Sequence, residues 1–242
     1  TYYTLIMLSI IVLVHYYSFI NLKDFKKIYK SFSVFISIGL LALLMNAPSL
    51  LATKEYSEFS TRSKNEITIN TDGSTKESLN GLDKEYITEY SYGILESFNL
   101  VFPRFMGGGS SERIREDSKF MNFVRSLDSN QAQQVYQYSK VYWGDQPIVA
   151  APAYIGISIF FIFLMSLLLV NDLNRKWILI AVLVSLLLSW GKNFSFLTDL
   201  MIDYFPLYDK FRAVSSIQVI IEFCVPLFAV FGLKKFLSVS TD

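Results

Sequence analysis

The sequence predicts a mainly α-helical fold: a polytopic transmembrane bundle of about five helices with a small, mostly helical extracytoplasmic insertion. Three observations predict it. Hydrophobic residues make up 52% of the 242, and only 18% are charged, with a mean hydropathy of +0.36; this is a membrane composition. The apolar residues gather into five runs, at roughly 2–20, 31–51, 148–170, 177–190 and 213–233. The cations sit between those runs rather than inside them.

The first run, "TYYTLIMLSIIVLVHYYSFI", has no basic stretch before it and no small-residue cleavage site after it. It therefore reads as a transmembrane helix and not as a signal peptide. The chain begins with Thr1, and the expectation is a piece of a longer polypeptide whose upstream helix packs against this one. His15 is expected at a helix–helix contact. The second run, 31–51, is again long enough to cross the hydrocarbon core, which needs about 20 apolar residues. Lys23, Lys26, Lys27 and Lys30 lie between the two.

Residues 52–146 are too long for a simple connection. "NTDGSTKESLNG" has the composition of a surface turn. "LDKEYITEYSYGILESF" spaces Leu82, Tyr86, Tyr90 and Ile94 four apart, which predicts a helix. "SKFMNFVRSLDSNQAQQVYQYSKVYW" is a second helical stretch.

The 148–170 run is the third span. The 177–190 run is short and must borrow from its flanks, tilt, or end inside protein. Arg175 and Lys176 precede it, and Lys234 and Lys235 follow the last run. With five helices all three basic loops fall on one side, the cytoplasmic one by the positive-inside rule. The domains are then 1–51 with two spans, 52–146 outside the cytoplasm, and 147–242 with three spans and an interfacial or re-entrant segment at 191–212.

In that segment Gly191 breaks the preceding helix and Pro206 ends the next. Between them "FSFLTDLMIDYF" is amphipathic. Phe196, Leu200 and Phe205 are expected against apolar surroundings, with Asp199 and Asp203 on a polar flank. Arg212, Ser215, Gln218 and Glu222 follow at spacings of three, three and four, so a helix puts them on one face. An acid at membrane depth costs about 2.5–3.5 kcal/mol. Glu222 should therefore meet a polar interior, either as part of a site or through an interhelical hydrogen bond. Pro226, four residues on, frees the Glu222 carbonyl.

Ser185, Ser189 and Lys192 share a face of the fourth helix, which brings Lys192 toward Lys210 and Arg212. Three cations at headgroup level can clamp a phosphate. They can equally snorkel to lipid headgroups or pair with Asp199, Asp203 and Asp209.

Other stretches offer weaker signals. In "PRFMGGGSSE", Gly107, Gly108 and Gly109 allow backbone N–H groups to converge on an anion, with Ser110 and Ser111 adding hydroxyls; a flexible turn is the plainer reading. No Gly-Lys-Ser/Thr follows, so this is no Walker loop. In "VYWGDQP", Tyr142 and Trp143 fit an interfacial anchor, and Asp145 is a lone carboxylate. Glu55 and Glu58 in "TKEYSEFSTRS" can orient sugar hydroxyls or remain solvated charge.

The charge balance excludes several classes. A net charge of +1 offers no concentrated face for nucleic acid. The single cysteine, Cys224, forms no internal disulfide. One His and one Cys argue against a zinc site or a Ser-His triad.

"ATKEYSEFSTRS", "GLDKEYITEYSYGILESFNLVFPRFMGGGSSE", "VYWGDQPIVAAPAYIG" and "LLLSWGKNFSFLTDLMIDYFPLYDKFRAVSSIQVIIEF" stand in the order seen in the YfhO family of bacterial membrane proteins. The chain resembles that family over about residues 42–235. The resemblance implies a longer GT-C-like glycosyltransferase of around a dozen transmembrane helices in the bacterial cytoplasmic membrane. Such an enzyme moves a sugar from a polyprenyl-phosphate donor to an extracytoplasmic acceptor: glycolipid, envelope polymer or protein. The resemblance carries over Lys192, Arg212 and the 107–111 loop; joined to the spacing above, it gives a donor-phosphate site at Lys192, Lys210 and Arg212, supported by Ser215, Gln218 and Glu222. Gly107, Gly108, Gly109, Ser110 and Ser111 form a substrate loop in this reading; Glu55 and Asp145, singled out by residue type and position alone, are candidate acceptor contacts. Many relatives carry proline after the Phe-Arg pair, where this chain has Ala213 and Val214. No part of the chain matches the outer loop that holds the family's catalytic acid. The expected partners are a lipid-linked sugar donor, membrane lipid and the rest of the same polypeptide; a divalent cation is the one cofactor left open. A transporter or flippase of a lipid-linked precursor, or a scaffold subunit of an envelope complex, are the alternatives.

Overall fold

A computed structural model describes residues 2–21, 25–60 and 82–239. Among these the chain is mostly helical and forms no strand; one isolated bridge pairs Gly107 with Tyr142. The stretch at 70–81 expected to turn lies outside the described residues, as do Lys23 and the side chain of Glu58.

Helix α1 (Tyr2–Asn21) and helix α2 (Phe25–Glu58) are long, apolar and largely uncovered. Their polar side chains bond back to their own helix: Ser9 to the Leu5 carbonyl, Ser37 to Ser33, Asn46 to Ala42 and Thr53 to Ser49. Such bonds satisfy these donors within their own helix, which suits a hydrocarbon environment. His15 Nδ1 likewise meets the Ile11 carbonyl at 2.9 Å.

The predicted helix around 82–94 is reduced to one turn, α3 (Lys84–Ile87), followed by a 3-10 helix, Leu95–Leu100. Tertiary backbone bonds replace the helical ladder. Leu82 N donates to Asp209 O, Tyr92 N to Ser189 O, and Tyr90 O accepts from Ser215 N. The second predicted helix splits into α4 (Lys119–Arg125) and α5 (Ser129–Tyr138). Ser118 caps the first by accepting from Met121 N, and Asp128 stands at the N-cap of the second.

The third apolar run becomes helical only at Ile157. Pro152 precedes it, and Gly156 holds a φ of 109°. Helix α6 (Ile157–Leu169) is therefore about 20 Å long at about 1.5 Å per residue, short of the hydrocarbon thickness. Helix α7 (Leu173–Ser189) ends at a 3-10 turn, Gly191–Phe194, and bends by 110° into α8 (Ser195–Tyr204). Gly191 makes the corner. Its φ is +47°, and a Cβ there would sit 2.1 Å from Ser91 Oγ. After 3-10 turns at Tyr208–Lys210 and Val214–Gln218, α9 (Val219–Val239) closes the chain.

Among the described residues three helices are long and apolar enough to cross a membrane, or up to four if the α7–α8 pair is one span. The core lies where α6, α7 and α9 meet, with α1 alongside, around Ile178, Ala181, Leu188, Ile217, Val225 and Phe228. Small residues permit the closest approach. A Cβ at Gly232 would fall 1.8 Å from Ser166 Oγ. Ser185 donates to the Ile217 carbonyl across the α7 interface. The described part of 82–156 packs on the end of the bundle formed by the α7–α8 corner and the start of α9. Arg175, Lys176, Lys234 and Lys235 lie toward the opposite end.

Candidate functional site

The corner at Gly191 decides where the predicted cations go. Lys192 leaves the Ser185–Ser189 face because α7 has already ended. Both serines are buried, whereas Lys192 is exposed and its backbone N–H donates to Ser91 Oγ. Among the described residues its ammonium has no ion-pair partner. Lys210 pairs with Asp209 at 2.8 Å. Arg212 also leaves its predicted face, because Ala213 takes a left-handed φ of 66° and the helix starts after it. The guanidinium turns to Glu89, with which it forms an ion pair. It donates to Tyr86 Oη at 3.0 Å and lies 4.3 Å from the Tyr86 ring centre and 4.9 Å from that of Tyr90. Its Nε is buried without a hydrogen-bond partner. All three basic residues thus border the 82–92 segment, and two of them are neutralised by carboxylates. Asp199 pairs with Lys84 instead.

Ser215, Gln218 and Glu222 remain together. They line one wall of a cleft of about 320 Å³, shared with Tyr92, Gln146, Ser216 and the apolar 148–153 stretch. Glu222 is exposed to this cleft, and among the described residues it makes no interhelical hydrogen bond.

Behind the cleft sits a carboxylate that sequence reasoning passed over. Glu96, on the Leu95–Leu100 turn, is 1% exposed and makes no ion pair among the described residues. Four donors hold it: Tyr142 Oη, Gly93 N at 3.0 Å, Asp145 N at 3.3 Å and Gln146 Nε2 at 3.2 Å. Gln146 Oε1 in turn accepts from Ser215 Oγ at 3.1 Å, which ties this network to the cleft. Burial, and then the bond to Glu96, push the Tyr142 phenol well above its ordinary range, so it stays a donor. Tyr142 is therefore a buried member of the network rather than an interfacial anchor; Trp143, 66% exposed, keeps that option. The only sequence signal for Glu96 was a lone acid in the aromatic stretch "YGILESF".

Asp145 is exposed and accepts from Asn193 Nδ2 at 3.3 Å; Asn193 also donates to the Tyr92 carbonyl. Glu55 stands exposed near the end of α2, with no hydrogen bond to the other candidates among the described residues.

The glycine loop is not an anion nest. Gly107 N donates to Arg104 O, Gly108 N to Val141 O and Ser110 N to Val149 O. Gly109 N goes to Glu112 Oε2, so its donors are already engaged. The glycines answer close packing: a Cβ on Gly107 would lie 1.9 Å from Val141 O, and one on Gly109 2.4 Å from Ala150 O. Ser110 Oγ accepts from Val149 N, and Ser111 is exposed. Arg104 first, and Gly109 N–H second, hold the Glu112 carboxyl below its ordinary range.

Thr198 donates to the Gly191 carbonyl and sets the rotation of α8, so Thr198 and Met201 face inward. Phe196, 75% exposed, and Leu200, Tyr204 and Phe205 form the outer, apolar side. Among the described residues no group of three or more His, Cys, Asp or Glu could hold a metal ion, so no residue is assigned to a divalent cation.

No protein-family model, curated protein or solved structure matches the chain.

Proposed function

We propose that this chain is part of a GT-C-like membrane glycosyltransferase that takes sugar from a polyprenyl-phosphate donor outside the bacterial cytoplasmic membrane. The carrying observation is a polar cleft at one end of an apolar helical bundle, whose wall residue Ser215 bonds to Tyr90, the residue whose ring packs on Arg212. A lipid-linked sugar needs an apolar slab for its tail, a cation for its phosphate and polar groups for its hydroxyls. The bundle, Arg212 and the cleft can supply these, with Arg212 and the cleft joined through the Tyr90–Ser215 bond. The motif order shared with the YfhO family supports the same reading.

In this reading Arg212 grips the donor phosphate, which displaces Glu89 from the guanidinium. Its buried Nε–H offers a further donor. Lys192 and Lys210 add positive charge nearby. As the acceptor oxygen bonds to the sugar carbon, its proton passes to a carboxylate base that the family resemblance places outside these residues; the carbon–phosphate-oxygen bond breaks and the lipid phosphate leaves with the electron pair, stabilised by these cations. Residues 52–146 lie outside the cytoplasm and the basic loops inside.

The test is Arg212→Ala in the full-length polypeptide. The variant inserts into membranes and its sugar transfer falls by at least a hundredfold. Transfer at the parental rate overturns the reading. One observation favours a transporter or flippase instead. A polar recess of about 410 Å³ lies at the opposite end, lined by Asn171, Asp172, Asn174, Lys234 and Lys235 among others. Movement of lipid-linked precursor across vesicles containing no acceptor would select that alternative.

A further inference from the structure

Helices α1 and α7 run antiparallel along the side of the bundle. Tyr2, at the start of α1, donates to the Pro206 carbonyl and packs on Phe211, past the far end of α7. The other end of α1 therefore comes level with the first turns of α7. Between the two helices lies a groove of about 640 Å³. Leu13 and Val14 of α1 and Leu179 and Ile180 of α7 give it apolar walls. Tyr17, Ser18 and Lys176 give it a polar mouth at the start of α7. From Ile10 to Ser18 it follows α1 for about 12 Å, at about 1.5 Å per residue.

The polar groups at the mouth are not spent on the protein. Ser9 and Ser37 bond back to their own helices. Among the described residues, Ser18 Oγ and Tyr17 Oη make no hydrogen bond and Lys176 makes no ion pair. No carboxylate lines the groove. Asp172, the acid nearest to Lys176 along α7, is engaged at the N-cap, where it accepts from Arg175 N and Asn174 Nδ2 at 3.2 Å each.

An apolar channel that ends in a cation and two hydroxyls has the polarity of an amphiphile laid along the helices. A soluble anion would use the mouth and leave the channel unmatched. A zwitterionic headgroup would bring an ammonium of its own, for which the lining offers no carboxylate. An anionic headgroup meets Lys176 through its phosphate, and the two hydroxyls donate to the remaining oxygens. Basic recesses between transmembrane helices take anionic lipid headgroups on these terms.

We propose that the α1–α7 groove holds one anionic glycerophospholipid, with an acyl chain along Leu13 and Ile180 and its phosphate on Lys176. The lipid fastens α1 to the bundle. The inference rests on the bundle lying in a membrane and not on sugar transfer, for the groove's mouth faces the end opposite Arg212.

The experiment uses the full-length polypeptide in phosphatidylcholine nanodiscs into which phosphatidylglycerol is titrated. Native mass spectrometry reads the retained lipid, and a thermal melt reads the docking of α1. The parent prefers phosphatidylglycerol by about tenfold, and its melting temperature rises with the phosphatidylglycerol fraction. Lys176→Gln lowers the preference by about fivefold and flattens that rise, yet melts like the parent in phosphatidylcholine alone. Lys176→Arg keeps the preference. Leu13→Trp, at a position 65% exposed, fills the groove and removes retention. Lys234→Gln combined with Lys235→Gln changes nothing, because those lysines line the separate recess beside Asn171. Equal retention of the two lipids overturns the proposal, as does a preference indifferent to Lys176→Gln or to Leu13→Trp. So does a preference abolished by the double lysine change alone, or by Lys176→Arg as fully as by Lys176→Gln. Displacement of the phosphatidylglycerol by an equal amount of polyprenyl phosphate assigns the groove to the donor's lipid and also overturns it. Loss of transfer in Arg212→Ala with lipid preference absent removes this site and keeps the enzyme; lipid preference with transfer indifferent to Arg212→Ala does the reverse.

Discussion

Glu96 is a buried carboxylate whose charge is spread over four hydrogen-bond donors rather than met by a cation. Removing it strands those donors, and each unpaired buried group costs about 1–3 kcal/mol. Glu96→Ala is therefore expected to lose about 3 kcal/mol or more, read as a lower melting temperature in detergent, with Ser215 released from Gln146. A value close to that of a surface substitution would show the network to be ornamental. Ala213 presents the opposite case. A non-glycine residue at φ 66° carries strain of about 1–2 kcal/mol, of which glycine's extra chain entropy offsets about 0.5–1 kcal/mol. Ala213→Gly should thus melt no lower than the parent and up to about 1 kcal/mol more stable. Neither residue was legible as special in the sequence: the acid carries no motif, and a backbone angle has no composition.

The 104–112 loop behaves as one element, closed by the Arg104–Glu112 ion pair at 2.7 Å. Since the folded Glu112 carboxyl ionises below its ordinary value of 4.5, its contribution is fully present above that value. It is lost as the pH falls through the lowered folded value. Amide exchange across 104–112, corrected for intrinsic rate, should be slow at pH 6 and rise by pH 3, and Arg104→Ala should flatten that difference. Gly107→Ala is harsher, placing a Cβ against Val141 O at φ +85°; it should unfasten the Gly107–Tyr142 bridge and lower the melting temperature. The α8 amphipathy was visible from its apolar spacing, but not the inward turn of Thr198 and Met201. Periodicity names the stripe, whereas the Thr198 bond to the Gly191 carbonyl chose which side turned inward.

Across the whole molecule, the described surface segment gathers at one end of the bundle and the basic residues of 172–176 and 234–235 at the other. If the bundle lies in a membrane as proposed, cysteines introduced by Ser129→Cys and Asn171→Cys react with an impermeant maleimide from opposite faces. Cys224, fully buried, contributes no background, and labelling of both positions from one side would reject the arrangement. The 110° corner after α7 and the late start of α6 also belong to this scale. Among the described residues they reduce five apolar runs to three clear candidate spans, or up to four, because α6 starts only after Gly156 and α7 ends before Gly191.

Local composition alone determined that the chain is helical, where its apolar runs lie, and that its cations fall between them. Such features follow from the free energy of moving each residue out of water, which depends on identity and nearest neighbours. The partners of Arg212, the closed donors of the glycine loop and the meeting of Tyr92, Gln218 and Glu222 came only with the tertiary structure. They depend on where distant segments cross, and the left-handed turn at Ala213 and the corner at Gly191 set those crossings.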